Sequence, residues 1–218
     1  MNGLDVRWDA VSHAYGGTAV VQDISLHVQA GESVALLGHN GAGKTTLSRM
    51  LMGLVRPRAG RVTVGDWDVA TKRPDEMASR VGYAFQHADQ QLFKRTVQDD
   101  VEFGPRKLGL GIDHVHDILM ELDHFLDAHL HPYDLPAPVR KVVTLAGVLA
   151  MQPSVLVLDE PTAGFDRGLR DLVVAVLRAR MRDGVTLITV SHDLEFVHAI
   201  ASREVMLEQG RIVSDVRH

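Results

Sequence analysis

Residues 38–46 read Gly-His-Asn-Gly-Ala-Gly-Lys-Thr-Thr, and no other stretch constrains the architecture as strongly. Gly38, Gly43, Lys44 and Thr45 occupy every fixed position of the phosphate-loop pattern G-x-x-x-x-G-K-[ST]. Glycines let the backbone curl around phosphates with its N–H groups pointing inward, the lysine neutralises β- and γ-phosphate oxygens, and the threonine hydroxyl can hold Mg²⁺. The stretch therefore predicts that the chain binds a nucleoside triphosphate with Mg²⁺.

The flanking sequence supplies the strand and the helix that this motif requires. Residues 33–37, Ser-Val-Ala-Leu-Leu, form a short apolar run suited to a buried strand. Residues 46–52 predict a helix that ends at Gly53. We expect the loop between them to contact the nucleotide through Gly38, Asn40, Gly41, Ala42, Gly43, Lys44, Thr45 and Thr46.

The composition is that of a globular domain, and we expect one domain over residues 1–218. A net charge of −5 with scattered basic residues disfavours binding to nucleic acid. Cysteine is absent, which excludes disulfides and thiol chemistry. The N-terminus lacks a signal-peptide pattern, and the longest apolar run, residues 142–151, falls well short of the ~20 residues that span a bilayer. We expect the chain to reach a membrane only through a partner.

Three regions of the chain have different patterns of polar and apolar residues. Residues 4–28 alternate polar and apolar side chains around a Gly16-Gly17 turn, which predicts an antiparallel β layer. Residues from about 88 to 150 have helical periodicity and little strand signal, so we expect a helical subdomain there. The last third alternates strand and helix, which is typical of a parallel α/β core.

Two carboxylates follow a buried strand in that last third. Val-Leu-Val-Leu at residues 155–158 leads directly into Asp159 and Glu160. Parallel α/β folds bind ligands at the carboxyl ends of their strands. We interpret Asp159 as a Mg²⁺ ligand, direct or through water, and Glu160 as the general base that polarises the attacking water.

These residues resemble the nucleotide-binding domains of ABC ATPases over nearly the whole chain. Tyr15 is similar to the aromatic residue that stacks on adenine, Gln86 to the Q-loop glutamine, and His192 to the switch histidine near the γ-phosphate. Residues 159–166, Asp-Glu-Pro-Thr-Ala-Gly-Phe-Asp, resemble the Walker B and D-loop run. The resemblance implies an α/β P-loop NTPase fold of the ABC type, with a mixed sheet, an antiparallel β layer, a RecA-like core and a helical subdomain.

The same resemblance implies the roles of the site residues. The chain would be an ATPase with ATP and Mg²⁺ as cofactors, and it would act as a dimer. The implied metal ligands are Thr45, Gln86 and Asp159, and the implied catalytic residues are Lys44, Gln86, Glu160 and His192.

A narrower resemblance covers residues 85–105, where Phe-Gln-His-Ala-Asp-Gln-Gln-Leu-Phe at 85–93 looks like the ATPases of energy-coupling-factor transporters. Thr96-Val97, Asp100-Val101 and Phe103-Gly104-Pro105 extend it. The resemblance implies a motor subunit on the cytoplasmic face of the cell membrane that drives import of a vitamin or of a cobalt or nickel ion. A transmembrane coupling subunit would dock near the Q-loop, on a surface made acidic by Asp99, Asp100 and Glu102. From charge alone, a solvated helix start explains those three residues equally well.

The chain departs from ABC ATPases at their signature, Leu-Ser-Gly-Gly-Gln, because residues 135–139 read Leu-Pro-Ala-Pro-Val. In that family, signature donors of one subunit bind the γ-phosphate of ATP held by the other. Pro136 and Pro138 have no backbone N–H, and Pro136 stands in the place of the serine that would supply a hydroxyl. We expect a helix to begin near Arg140, and its dipole would still favour an anion at its N-terminus. Loss of such donors costs roughly 10²–10³ in rate each. We therefore expect a heterodimer with a partner ATPase whose signature is intact.

Other functional classes stay open. A soluble ABC ATPase that acts in DNA repair would need a long insertion with heptad periodicity between the two halves of the domain. ABC ATPases that act in translation usually carry two nucleotide-binding domains in one chain. The sequence has neither feature. A regulatory subunit with little hydrolysis is disfavoured by the presence of Glu160. The histidines at 114, 116, 124, 129 and 131 fit no compact metal spacing, so we interpret them as surface or capping residues.

Overall fold

The computed structural model describes residues 3–122 and 127–218. Within these ranges the chain forms ten strands in two sheets, and seven α-helices. His124, one of the histidines considered above, lies outside the described residues, as do Met1 and Asn2. The strands are β1 (Val6–Tyr15), β2 (Thr18–Val28), β3 (Ser33–Leu37), β4 (Ala59–Val64), β5 (Trp67–Asp68), β6 (Val81–Ala84), β7 (Val155–Asp159), β8 (Thr186–Val190), β9 (Arg203–Glu208) and β10 (Arg211–Arg217). The helices are α1 (Lys44–Met50), α2 (Pro74–Met77), α3 (Val97–Leu108), α4 (Asp113–Glu121), α5 (Ala137–Ala150), α6 (Arg167–Arg182) and α7 (Leu194–Ile200).

The central sheet has the strand order β10-β9-β3-β8-β7-β6. Its strands pair in parallel except β10, which runs antiparallel to β9 at one edge. Every residue of β3, β7 and β8 is buried, as expected for parallel strands that are covered on both faces. The carboxyl ends of β3, β8, β7 and β6 consequently lie side by side at one edge of the sheet.

The second sheet is antiparallel, with the strand order β2-β1-β4-β5, and it confirms the predicted antiparallel layer. Its buried face shares one hydrophobic cluster with Leu47 and Met50 of α1 and with Val34 and Ile188 of the central sheet. The Trp8 indole N–H donates to the Leu47 carbonyl oxygen at 3.1 Å. Helix α1 is therefore fixed by contacts with both sheets.

Residues 88–150 contain α3, α4 and α5 and, in their described part, no strand, as the periodicity predicts. Helix α5 packs against β6 at an unusually close distance. A Cβ atom placed on Gly82 would lie 2.6 Å from Val148 Cγ1 and 2.8 Å from Pro153 Cγ. This contact joins the helical region to the central sheet.

Three local predictions need correction. Helix α1 begins at Lys44 and ends at Met50, whereas the sequence predicted residues 46–52. Helix α5 begins at Ala137 instead of near Arg140, because a proline is tolerated in the first helical turn, where its missing N–H has no partner to lose. The hairpin of β9 and β10 was not predicted, although β9 alternates buried and half-buried side chains over most of its length; β10, at the edge of the sheet, is almost entirely exposed.

Candidate functional site

The loops that follow β3, β6, β7 and β8 surround a cleft of about 360 Å³. The cleft contains all of the residues predicted for the site except Tyr15 and Gly38, and it also contains two valines that the sequence did not indicate. The lining residues are Val20, Asn40, Gly41, Ala42, Gly43, Lys44, Thr45, Thr46, Gln86, Asp159, Glu160, Val190 and His192.

The phosphate loop is shaped by backbone approaches that exclude side chains. A Cβ atom on Gly38 would lie 2.1 Å from the Leu207 carbonyl oxygen, and φ at Gly38 is 138°. The loop folds around Lys44, whose Nζ donates to the carbonyl oxygens of Gly38 at 2.6 Å and His39 at 3.0 Å. Burial lowers the pKa of Lys44, and the nearby carboxylates of Glu160 and Asp159 oppose that effect.

Asp159 is fully buried at the end of β7, directly beside the start of α1. Its Oδ1 accepts a hydrogen bond from Thr45 Oγ1 at 3.3 Å, and its Oδ2 accepts one from Tyr83 Oη at 3.2 Å. Burial raises the pKa of Asp159, whereas the bonds from Thr45 and Tyr83 lower it. The adjacent hydroxyl and carboxylate oxygens, with the Gln86 amide on the same cleft, form the hard oxygen set that Mg²⁺ prefers.

Glu160 has a left-handed backbone, with φ 50°, and contacts fix it on both sides. Its N–H donates to the Val190 carbonyl oxygen at 2.8 Å, and Lys141 Nζ donates to the Glu160 carbonyl oxygen at 2.8 Å. A non-glycine residue in this region costs of order 1–3 kcal/mol, so it persists only when its surroundings hold it. The structure thus fixes the direction in which the Glu160 side chain leaves the strand.

The Glu160 carboxylate faces His192 across the cleft. Oε1 lies 3.3 Å from His192 Nε2, and Oε2 accepts the His192 backbone N–H at 3.3 Å. Burial raises the pKa of Glu160, while the charge and N–H of His192 lower it. A carboxylate with a raised pKa is a stronger base, so this position suits removal of a proton from water.

Two residues that touch the site were missed by sequence reasoning. Tyr83 lies in an apolar strand and reads as a core residue, and Lys141 lies on a helix and reads as a solvated charge. Only their contacts with Asp159 and Glu160 identify them. A third residue, Gln91, fixes the end of β6 just before Gln86, by accepting from the Phe85 N–H and donating to the Tyr83 carbonyl oxygen, both at 2.8 Å.

Tyr15 and Gly38 lie outside the lining set. Tyr15 is half exposed at the end of β1, where its ring packs edge-on against His13 with a centroid separation of 4.6 Å. Its stacking on adenine stays a prediction. Gly38 contributes through its carbonyl oxygen, which accepts from Lys44.

The segment that replaces the signature lies at the N-terminus of α5, away from this chain's own cleft. Pro136 is the N-cap, and its carbonyl oxygen accepts the Arg140 N–H at 3.0 Å. Because residue 138 is a proline, Ala137 and Val139 carry the remaining N–H groups of the first three helical residues. A Cβ atom placed on Gly164 would lie 3.7 Å from Pro138 Cγ, so this segment borders the loop after Glu160.

A second groove, of about 260 Å³, lies between the turn at Ala88–Gln90, α3 and α5. Its most prominent feature is aromatic: Phe93, 59% exposed, packs edge-on against Phe103 with a centroid separation of 4.8 Å. The groove is lined by Gln90, Gln91, Leu92, Phe93, Asp100, Phe103, Gly104, Val143, Thr144, Gly147, Val148 and Met151.

Of the three acidic residues predicted near the docking surface, Asp99 is exposed, Asp100 is half-buried at the groove and Glu102 is buried. Glu102 is buried and paired with Arg106. The Asp100 carboxylate accepts the N–H groups of Phe93 at 3.2 Å and Lys94 at 3.1 Å. Asp99 is paired with the N-cap Thr96. These carboxylates satisfy local donors, so the groove offers mainly aromatic and aliphatic surface.

The described histidines between residues 114 and 131 lie at the surface or make local contacts. His131 Nδ1 accepts the Tyr133 N–H at 3.2 Å and caps a turn, and His114 Nε2 lies 2.6 Å from the Ala150 carbonyl oxygen. Among the described residues, no group of three or more histidine, aspartate or glutamate side chains could hold a metal ion. The described helices also include none that is long and apolar enough to cross a membrane.

Comparison with known proteins agrees with this geometry. A family model described as ABC transporter matches residues 21–163. The energy-coupling factor transporter ATP-binding protein EcfA2 of Clostridium perfringens is 34% identical over 226 residues, covering 97% of this chain and 79% of the relative. The cobalt import ATP-binding protein CbiO of Rhodobacter capsulatus is 38% identical over 216 residues, covering 95% of this chain and 76% of the relative.

A solved structure gives the same result. It is cbiO1 from Clostridium perfringens, described as part of the ABC transporter complex cbiONQ. It superposes with a TM-score of 0.84 at 30% identity, covering 97% of this chain and 88% of that one. The similarity extends over both sheets and the helical region, because nearly the whole chain is matched.

Proposed function

Since this chain belongs to the ABC transporter family, we propose that it is the ATP-hydrolysing motor subunit of an importer of the energy-coupling-factor type. The chain is an ABC ATPase, and its relatives include an energy-coupling factor ATP-binding protein and a cobalt import ATP-binding protein. The proposed cargo is accordingly a vitamin or a cobalt or nickel ion. The subunit would work on the cytoplasmic face of the membrane, held there by transmembrane partners.

The proposed reaction is the attack of water on the γ-phosphorus of ATP. Lys44 and the loop amides hold the phosphates, and Glu160 accepts the proton that the water loses as its oxygen bonds to phosphorus. The bond from the γ-phosphorus to the bridging oxygen breaks, and ADP and inorganic phosphate leave. His192 supports the developing charge through an imidazole N–H. Mg²⁺, held by Thr45, Asp159 and Gln86, would neutralise phosphate charge.

The observation that carries this proposal is the position of Glu160. Its carboxylate lies 3.3 Å from His192 and shares the cleft with the phosphate-binding Lys44. The main chain of Glu160 is held by two hydrogen bonds of 2.8 Å. A base held in this way beside a phosphate loop supports hydrolysis, because the backbone that carries the carboxylate is already fixed.

We also propose that the working assembly is a heterodimer. Pro136 and Pro138 leave the start of α5 with few N–H donors, and this segment does not line the chain's own cleft. In an ABC dimer, that segment would face the nucleotide of the other subunit. A partner with an intact signature would complete the site of this chain, and the site on the partner would be impaired.

The transmembrane coupling subunit is proposed to dock in the aromatic groove. Phe93 and Phe103 offer apolar surface beside the strand that leads to Gln86, so a partner helix there would lie close to the cleft. Phe93→Asp is expected to weaken association with the coupling subunit at least tenfold while ATP affinity stays unchanged. Leu54→Asp, on a side chain that is 46% exposed outside the groove, is the matched control. Equal loss in both variants would count against this docking site.

Hydrolysis is tested by measuring Mg²⁺-ATP turnover of the purified chain over a concentration series, with Glu160→Gln as the blank. We expect ATP binding with slow turnover by the chain alone and faster turnover once the partner ATPase is added. Absence of ATP binding would overturn the ATPase assignment. Turnover by the homodimer equal to that of the mixed pair would overturn only the heterodimer.

Restoring the signature gives a second test of the same idea. Pro136→Ser combined with Ala137→Gly and Pro138→Gly returns one hydroxyl and two backbone N–H groups, and we expect homodimer turnover to rise by roughly tenfold or more. Adding Glu160→Gln to that background should abolish the gain.

A regulatory subunit with little hydrolysis is the second candidate function, because Pro136 stands where the signature serine would supply a hydroxyl. This candidate predicts ATP binding without turnover in every assembly.

A further inference from the structure

A buried chain of hydroxyl groups lies behind Asp159, on the side away from the cleft. Tyr83 of β6 and Ser48 of α1 are 3% and 0% exposed, and neither lines the cleft. Tyr83 Oη lies 3.2 Å from Asp159 Oδ2 and 2.9 Å from Ser48 Oγ. The other carboxylate oxygen, Oδ1, is the one that faces Thr45.

The direction of these hydrogen bonds follows from counting protons. An ionised carboxylate only accepts, so Tyr83 must donate its single hydroxyl proton to Asp159. The contact of 2.9 Å between Tyr83 and Ser48 is then a hydrogen bond only if Ser48 donates. Ser48 Oγ also lies 3.1 Å from the Thr45 carbonyl oxygen, which is the alternative acceptor for the same proton.

The position of Tyr83 is itself well fixed. Its ring is tilted against Phe85 with a centroid separation of 4.7 Å, and its carbonyl oxygen accepts from Gln91 at 2.8 Å. Burial raises the pKa of the Tyr83 hydroxyl well above its ordinary value, and the Asp159 charge acts in the same direction. These contacts hold the phenol hydroxyl beside Asp159 Oδ2, where it can donate its single proton.

We propose that Tyr83, supported by Ser48, is a positioning residue that orients the Asp159 carboxylate so that Oδ1 is presented, with Thr45, to the nucleotide-bound Mg²⁺. This inference rests on the proposed ATPase function and deepens it. A carboxylate held by one oxygen from behind cannot rotate about its terminal bond without breaking a buried hydrogen bond. Residues that orient metal ligands in this way commonly change metal affinity by about 10–100-fold when mutated.

The test uses the full chain and measures binding rather than turnover. The affinity of the chain for ATP is measured once in the presence of a metal chelator and once in the presence of Mg²⁺. The affinity of the ATP-loaded chain for Mn²⁺ is measured by electron paramagnetic resonance. Tyr83→Phe keeps the ring and its packing but removes the donor. We expect its Mn²⁺ affinity to fall by about tenfold, with ATP affinity in chelator unchanged within twofold. Ser48→Ala should produce a smaller loss in the same direction, and it keeps the test available if Tyr83→Phe folds poorly.

Tyr133→Phe is the matched control, because Tyr133 is 46% exposed and the single proton of its hydroxyl has the Asp89 and Leu92 carbonyl oxygens as acceptors, at 3.3 Å and 3.2 Å. It should leave both affinities unchanged. Unchanged Mn²⁺ affinity in Tyr83→Phe, or an equal loss of ATP affinity with and without metal, overturns the positioning role. Failure of the wild-type chain to bind ATP would instead overturn the proposed function, so the two failures are distinguishable.

Discussion

Replacing Lys141 by methionine tests how the backbone of Glu160 is held. Lys141 is half-buried on α5, and its Nζ donates to the Glu160 carbonyl oxygen at 2.8 Å. Burial lowers the pKa of Lys141, while Glu160 and Asp159 oppose that effect. Methionine keeps most of the aliphatic side chain and removes the donor, so the variant changes one hydrogen bond with little loss of packing.

The expected magnitude follows from the contacts. A hydrogen bond from a charged donor contributes about 1.5–3 kcal/mol, which is comparable with the ~1–3 kcal/mol strain of a left-handed non-glycine residue. Without this bond, Glu160 can relax, and its carboxylate would move relative to His192. Because a 1 Å misplacement can cost about 10²-fold in rate, we expect kcat to fall by about 10–100-fold. Affinity for ATP should change by less than about threefold, since the hydrogen bond of Lys141 goes to the Glu160 carbonyl oxygen and not to the phosphate loop.

The assay is steady-state ATP hydrolysis in the assembly that turns over, together with ATP binding by the isolated chain. Lys107→Met is the control, because Lys107 is an exposed lysine on α3 and the substitution is identical. A kcat within twofold of wild type would refute the argument. A loss of ATP affinity as large as the loss of kcat would also refute it, since the effect would then be on binding.

Three further predictions concern stability and the phosphate loop. The Arg203 guanidinium holds the pKa of Asp215 below its ordinary value, so Asp215→Asn should destabilise the fold by about 1 kcal/mol at neutral pH, after allowance for solvent screening. A depressed folded-state pKa contributes stability that is present above the unfolded value of 3.8 and is lost as pH falls through the folded value. Chemical unfolding at pH 7 and pH 2.5 should show a smaller difference at low pH, and a constant difference would contradict the ion pair. Gly82→Ala should lower the free energy of unfolding by about 1–3 kcal/mol, because the added methyl group would overpack the contact with α5. Gly111→Ala is the control and should be nearly neutral, because Gly111 has open space around it. Equal melting temperatures of the two variants would contradict this prediction. Gly38→Ala places a Cβ atom 2.1 Å from a backbone oxygen of β9 and should abolish ATP binding, so wild-type affinity measured by titration would contradict the loop geometry.

The fold was largely predictable because its signals are local. Alternation in residues 4–28 gave the antiparallel layer, and the fully apolar runs of β3, β7 and β8 gave buried parallel strands. The start of α5 was misplaced because proline ends helices yet also fits their first turn. Strand β10 was missed because an exposed edge strand needs no apolar alternation, whereas β9 carries that alternation in residues 203–208 and could have been predicted.

The three acidic residues near the proposed docking groove show that counting charges does not give their exposure. Three acidic residues in residues 99–102 suggested an acidic patch, but Asp100 and Glu102 turn inward to local donors. The nearby groove is instead dominated by Phe93 and Phe103. Burial and hydrogen bonding determine whether a charged residue reaches the surface, and neither is written in the local sequence.

The sequence by itself determined the kind of chemistry. Lys44 in its glycine loop and the Asp159-Glu160 pair after a buried strand predict nucleotide binding and a candidate base, because phosphate and metal geometry require residues of these types at this spacing. Only the tertiary structure decided how these groups are held. Tyr83 lies behind Asp159 and Lys141 lies against the Glu160 carbonyl because the strand order β8-β7-β6 and the packing of α5 bring distant segments together. Such contacts depend on side chains meeting across elements, so no local pattern can encode them.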